Sequence, residues 1–298
     1  MPKNQDPYDV LCIGHASYDL VFSVPYHPSQ DEKMVADNFL GCGGGPAANA
    51  AVTAARLGFK AAFAGYLGND AWGDSHYTEL QNQGIELKLI VRGNWPTPLS
   101  TILVKPDGKR ALINYKGNTQ ALAADAMDFA DISPKTVLFD GHEPHISLAL
   151  LAQLDAKTPT ILDAGSLHPG TQLLMDKVSH LVCSEKFALQ YAGDVQKALA
   201  ELAALAPNVV ITLGEYGLIW QRGNETGQLP APSVIAIDTT GAGDAFHGAF
   251  AVAMAANMDW LEVLRYASVA GALCCTKNGA RPGLPYKHEL NTLLASWQ

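Results

Sequence analysis

The chain has 298 residues, of which 48% are hydrophobic and only 16% charged, enough apolar side chains for a substantial core and too few charges for a disordered tail. Its formal net charge of -9 and pI near 5.4 work against nonspecific binding to nucleic acid or to an anionic membrane surface, so neither is expected as a partner. The cysteines Cys12, Cys42, Cys183, Cys274 and Cys275 form no C-x-x-C pair and are odd in number, which argues for a reducing cytoplasm and against a zinc site or a disulfide framework. No apolar run is long enough for a signal peptide or a membrane span, so a soluble, cytoplasmic protein is expected.

From the N-terminus onward, short β-rich apolar runs alternate with Ala/Leu-rich stretches of helical period. Residues 9–14 ("DVLCIG") read as a buried strand, and Asp19 follows it in "GHASYDLV". Residues about 17–41 read as antiparallel strands with no helix to cover them. The stretch "FLGCGGGPAANAAVTAARLG" (39–58) then places Pro46 at a first helical turn and Gly58 at a terminator, predicting a helix over 46–57. A second antiparallel pair is expected over 97–116, turning at Pro106-Asp107-Gly108. Buried strands follow at 136–140, 160–165, 181–184 and 209–214. "HEPH" (142–145) between them reads as a loop, with no third ligand to make it a zinc site. "VIAID" (234–238) reads as a strand feeding the turn "TTGAGD" and an Ala-rich helix, and Cys274-Cys275 lies in a later apolar helical run as core.

This alternation predicts an α/β, three-layer α/β/α architecture, a mostly parallel sheet with helices on both faces, in one domain over 1–298. The regions 17–41 and 97–116 would form a small β-sheet lid. In such sheets, ligands sit outside the carboxyl ends of the strands.

Three stretches carry chemistry. Gly43-Gly44-Gly45 precedes the first helix, where a backbone without Cβ atoms can approach a ligand and free N–H groups are available; Asn49, one turn in, could point at the same ligand. A tight turn with close packing explains the same glycines. Neither a nucleotide-hydrolase phosphate loop nor a dinucleotide fingerprint is present. Asp19 could be a solvated turn residue or could grip a polyol through paired hydroxyls. In "TTGAGD" the amides of Gly241, Ala242, Gly243 and Asp244 can converge at a helix N-terminus as an anion hole. Asp244 is favoured there by the helix dipole alone. The small residues around it nevertheless leave room for a substrate hydroxyl between the acid and a phosphate.

In this order, Gly44-Gly45-x-x-x-Asn49, Thr212-Leu213-Gly214-x-x-Gly217 and Asp238-Thr239-Thr240-Gly241-Ala242-Gly243-Asp244, the motifs resemble the ribokinase-like (phosphofructokinase B) family of carbohydrate kinases over almost the whole chain. The resemblance implies Asp244 as catalytic base, with the amides from Gly241 to Asp244 as the anion hole. Ser17, Asp19, Gly44, Gly45 and Asn49 match sugar-contacting positions. Thr212, Gly214 and Gly217 match the ATP loop, with Glu185, Lys186 and Asn278 nearby in the nucleotide site. Asp238 and Thr240, with backbone near Ala280 and Gly283, match a place for a monovalent cation such as K+. ATP with Mg2+ is the implied phosphoryl donor.

One departure is plain: where many members carry N-x-x-E, this chain has Ser184-Glu185-Lys186-Phe187. "GGGPAANAAVTAARLG", "ALINY" and "DTTGAGDAFHGAFAVAMA" look most like the ketose-kinase branch, near fructokinases and the sulfofructose kinase. Lys33 and Asn114 match two of the residues that hold the sulfonate there, but His142 stands where the third, an arginine, would be. The implied activity is therefore ATP-dependent phosphorylation of a neutral ketohexose such as fructose, with a phosphorylated acceptor left open. A nucleoside kinase and a catalytically silent sugar-binding homologue are the alternatives. Pairing of two lids would give a homodimer.

Overall fold

The computed structural model describes residues 6–297. Strand β1 (Asp6–Ile13) leads through β2 (Ser17–Ser23) and β3 (Asn38–Gly44) into helix α1 (Pro46–Arg56), then β4 (Ala61–Gly68), α2 (Ala71–Asn82) and β5 (Ile90–Gly93). The hairpin β6 (Leu99–Val104) and β7 (Arg110–Tyr115) precedes β8 (Ile132–Phe139), α3 (Pro144–Leu151), β9 (Thr160–Ala164), α4 (Pro169–Leu174), β10 (His180–Ser184), α5 (Glu185–Ala192) and α6 (Val195–Leu202). After β11 (Asn208–Thr212), β12 (Leu218–Arg222) and β13 (Glu225–Leu229) come α7 (Ala242–Ala255), α8 (Trp260–Cys274), the single turn α9 (Ala280–Gly283) and α10 (Lys287–Ser296). Among the described residues no helix is long and apolar enough to cross a membrane.

Nine strands make the large sheet, in the order β13-β12-β11-β10-β9-β8-β1-β4-β5. From β11 to β5 all neighbours run parallel, and only β12 and β13 turn back. β4 and β9 are buried at every position, as parallel strands covered on both faces must be. One apolar layer lies under α1, α7 and α8 and includes Val52, Phe250 and Val269. The other, with Phe139, Leu162 and Phe187, lies on the opposite face under α3 to α6. The lid is a four-stranded sheet ordered β3-β2-β6-β7. Its β6–β7 turn closes at the predicted place, with Gly108 N–H donating to Lys105 O at 2.9 Å.

The helix predicted over 46–57 runs from Pro46 to Arg56, and the predicted strands of the large sheet agree to within a few residues. Two readings need correction. Residues 234–238 form no strand: the segment is extended but outside every ladder, tethered by Ile237 N–H to Cys275 O at 2.7 Å. Pro230 and Pro232 lack the N–H groups that would extend β13 into it. "HEPH" is only half loop, because Pro144 occupies the first turn of α3 and carries His145 into the helix.

The closest helix contact is between α1 and α7. Gly248 presses on α1 so tightly that a Cβ there would lie 2.6 Å from Ala50 O and 2.8 Å from the Thr53 Cβ. This approach brings the first turns of both helices to one place. Replacing Gly248 with Ala should cost about 1–3 kcal/mol by overpacking; urea unfolding of Gly248→Ala at unchanged m-value is the measurement, and wild-type stability would contradict the close crossing.

Candidate active site

The carboxyl ends of β1 and β8, the starts of α1 and α7 and the lid strands surround a cavity of about 340 Å³. Asp140, just past β8, holds the frame together. One of its carboxylate oxygens accepts N–H bonds from His15 at 2.7 Å and Ala47 at 3.2 Å, and the other accepts that of His142 at 2.9 Å. The end of β1, the first turn of α1 and the loop after β8 thus converge on a single buried acid. A Cβ on Gly14 would fall within 2.0 Å of that carboxylate, so glycine is required there.

Asp244 lies in the first turn of α7 and lines the cavity. Burial pushes its acid upward. The Asn49 hydrogen bond, His247 and Arg110 act the other way, and Asp140 adds to the rise. Asn49 Nδ2 donates to Asp244 Oδ2 at 2.7 Å, across the α1–α7 crossing.

Gly241, the N-cap of α7, has φ of 79°, and a Cβ on it would lie 2.7 Å from the Ala280 Cβ; a larger residue is excluded. The Ala242 N–H turns back to Thr239 O at 3.3 Å, whereas the amides of Gly243 and Asp244 have no protein acceptor among the described residues. A Cβ on Gly243 would meet nothing within 4 Å, so the turn is open at that position, and unpaired helix-start amides are the donors that an anion site uses.

Asp19 is buried on β2, where the Ser17 hydroxyl donates to it at 3.0 Å. Burial raises its acid; Ser17, Ser100 and Arg281 oppose the rise, and Asp244 adds to it. The missing Cβ of Gly44 makes room for the Asp19 carboxylate, 2.2 Å from where that Cβ would stand. Gly43 makes room instead for His76 and Arg281, so the glycine run serves packing as well as the cavity wall.

Ser17, Asp19, Gly45, Asn49, Asn114, Thr240, Asp244 and Ala280 all line the cavity. Lys33 does not: it is exposed on the β2–β3 connection, and Lys116 from the end of the lid lines the cavity instead. Thr212 pairs in register with Ser184, so the turns carrying Gly214 and Glu185 follow adjacent parallel strands. Gly217 has φ of 91°, and its Cβ would collide with Leu229 O at 2.0 Å. Ser184, at the position of the missing asparagine, caps α5 by accepting the Phe187 N–H at 3.1 Å while its hydroxyl donates to Gly165 O. Glu185, Lys186 and Asn278 are exposed, and their side chains form no hydrogen bond or ion pair among the described residues.

Asp238 fits a cation poorly. One oxygen accepts the Thr240 N–H at 2.9 Å and hydroxyl at 2.6 Å, and the other accepts the Gly279 N–H at 2.8 Å. The Arg110 guanidinium, which donates to Thr240 Oγ1, stands 3.8 Å away. Asp238 braces the turn with these bonds, and no chemical step is routed through a monovalent ion there.

Sequence reading named His142 only as a loop residue standing in place of an arginine and missed the tier of groups around it. His15, His142 and His168 stack with ring centroids 5.1 and 4.8 Å apart beside Lys116. Burial first, then His142 and Lys116, pushes His15 well below the usual imidazole range. Behind Asp244, His247 Nδ1 lies 2.6 Å from Gly243 O and 3.3 Å from Asp163 Oδ2. Burial pushes Asp163 up to about 7 against the opposing pull of His247. Arg281 joins Asn49 to α2. No motif spacing announces any of these.

A family model described as "pfkB family carbohydrate kinase" matches residues 8–287. The ribokinase of Bacillus subtilis (strain 168) is 29% identical over 294 residues, covering 96% of this chain and 99% of that one. The Arabidopsis thaliana protein named "Probable fructokinase-5" is 28% identical, covering 87% and 90%. Among solved structures, ribokinase from Thermotoga maritima superposes with a TM-score of 0.86 at 26% identity, covering 97% of this chain and 99% of that one. Arabidopsis thaliana ribokinase complexed with ribose and ATP gives 0.82 at 26%, with the same coverage. The chain belongs to the pfkB family of carbohydrate kinases, with the ribokinase-like α/β fold, and is an ATP-dependent phosphotransferase.

Glu143 gives a pH test of this frame. Burial pushes its acid up to about 7, while the Leu122 N–H it accepts at 2.7 Å pulls the other way. An acid whose folded value lies above its unfolded value binds more protons when folded, so stability falls as pH rises from about 4.5 through about 7. Glu143→Gln keeps an acceptor for Leu122 without the charge. Thermal melts should show it matching wild type near pH 4 and exceeding it by about 1–3 kcal/mol at pH 8; a gap independent of pH would contradict this assignment.

Proposed function

We propose that this kinase phosphorylates a hydroxyl of a small ketose, a ketohexose such as fructose, with Asp244 as general base. The observation that carries this reading is Asp244 itself, a cavity-wall carboxylate held by Asn49 next to two unpaired helix-start amides. An acceptor hydroxyl resting on Asp244 loses its proton to Oδ1 or Oδ2 as its oxygen bonds to the γ-phosphorus of ATP. The bond from that phosphorus to the β–γ bridging oxygen breaks, and ADP leaves with the electron pair. The amides of Gly243 and Asp244 neutralise charge on the transferred group. Catalysis in such a loose transition state is mainly placement and charge stabilisation.

Asp19, Ser17, Asn49 and Asn114 hold the acceptor's other hydroxyls, and Gly44 and Gly45 keep the wall close. Thr212, Gly214 and Gly217 support the nucleotide, with Asn278 at its edge. Mg2+ would be held at Glu185, an exposed carboxylate at the turn from β10 into α5, because magnesium needs few protein ligands and keeps its waters and phosphates. Bound there, it would neutralise charge on the transferring phosphates; Lys186 is placed to assist. Ribose is the second acceptor to weigh, because the ribokinase relatives are as similar as the fructokinase. Unpaired cysteines throughout suit a reducing cytoplasm.

The lid has an apolar outer side. Ile113 and Tyr115 on β7 are 67% and 55% exposed, on the face opposite the cavity-lining Leu112 and Asn114, and β7 is the lid's edge strand. Pairing two lids in a homodimer would cover both the side chains and the edge. Sedimentation should return about twice 31.7 kDa; a monomeric mass removes the proposal.

A purified enzyme assayed for ADP release with fructose, ribose, phosphorylated ketoses and nucleosides identifies the acceptor. A nucleoside preference would overturn the ketose reading, and ATP binding without turnover on any of them would point to a silent homologue. With the preferred acceptor, Asp244→Asn should fold normally and lose at least about 10²-fold in kcat, the range a positioned base supplies. Near-normal turnover would remove Asp244 from the role of base.

A further inference from the structure

Arg281 is the group the mechanism leaves unused. It sits on the single turn α9 and is only 3% exposed. Its guanidinium is held from three sides: Nη1 lies 3.2 Å from Glu79 Oε1, Nη2 lies 3.2 Å from His76 Nε2, and Nε donates to Asn49 Oδ1 at 3.1 Å. Glu79 in turn accepts the Gly43 N–H at 2.6 Å. Burial, with Arg281 beside it, pushes His76 well below the usual imidazole range, so its neutral ring can accept from the guanidinium. A guanidinium only donates. The Asn49 carbonyl is therefore turned to Arg281, and its NH₂ faces Asp244.

We propose that Arg281 is a positioning residue: it locks the Asn49 amide so that the NH₂ end, never the carbonyl, meets Asp244. The inference rests on reading Asp244 as the base. Turned the other way, Asn49 would set an acceptor against a carboxylate, an arrangement that favours the protonated acid.

The surroundings make this lock matter. Asp244 shares the site with Asp140 at the end of β8, Asp163 on β9 and Asp19 on β2, and all three disfavour a further negative charge. Cys274 of α8 also faces it, held as a neutral thiol. His247 on α7 and Arg110 on the lid act in its favour, and Asn49 gives the one side-chain hydrogen bond among the described residues. A base must be ionised at working pH, and a donor of fixed orientation keeps it so.

The test reads the carboxylate directly and needs no substrate. Protein labelled with 13C at aspartate Cγ is titrated by NMR, and the Asp244 signal is identified by its loss in Asp244→Asn. In Arg281→Met the Asp244 midpoint should rise by about one pH unit. It should rise similarly in Asn49→Ala and no further in the double variant. Arg281→Lys, which keeps the charge near Glu79 but loses the planar fork, should give a smaller rise and carries the test if Arg281→Met does not fold. An unchanged midpoint in Arg281→Met, or in Arg281→Lys where that variant carries the test, overturns the proposal, as does a rise of equal size with and without Asn49. Failure of the base reading shows separately, as turnover retained in Asp244→Asn.

Discussion

Asp19, Asp163 and Asp244 gather with Asp140 around the carboxyl ends of β1, β8 and β9, and burial first, then neighbouring charge of the same sign, raises the proton affinity of Asp19, Asp163 and Asp244. The rest of the site can be understood as the means of managing that repulsion. Asp140 is held by three backbone N–H groups and serves as architecture. Asp163 lies against His247, and Asp19 accepts from Ser17. Asp244 receives a side-chain donor from another helix, so its environment depends on how α1 meets α7.

That dependence explains the small residues along the crossing. Ala50, Thr53 and Gly248 bring two helix axes close enough for a short amide to reach a short acid. A bulkier pair would preserve the fold and break the contact. The two helix starts then point into one cavity: α7 offers its unpaired amides, and α1 contributes its wall and Asn49. Packing and chemistry are here one geometric requirement, met by alanine and glycine.

Much of this is legible in the sequence because it is local. Pro46 and Gly58 bracket a helix, buried strands announce themselves as apolar runs, and "DTTGAGD" carries cap, turn and acid within seven residues. What was not legible is long-range. Arg281 lies 232 positions from Asn49, and nothing in its neighbours says that its guanidinium is buried. Lys33 was matched by position in the chain, but the β2–β3 connection carries it away from the cavity that Lys116 lines. "VIAID" has strand composition and no ladder to join, because the prolines before it remove the donors an added strand would need. Composition describes what a segment can do, and the free edge available to it decides.

The lid belongs to the same electrostatic problem. β7 brings Arg110 to Thr240, within 3.8 Å of Asp238, so the strand that covers the cavity also places a cation at the turn preceding the free amides. Lys116, beside His15 and His142, also lines the cavity. The cavity wall therefore carries the cations Arg110 and Lys116 together with the carboxylates Asp19 and Asp244. Arg110 and Asn114 are on one short strand and both line the cavity, so neither can be displaced without the other. Cover and charge at the turn form a single mechanical unit, and a chain whose net charge is -9 can hold an anionic donor only where such local units reverse the field.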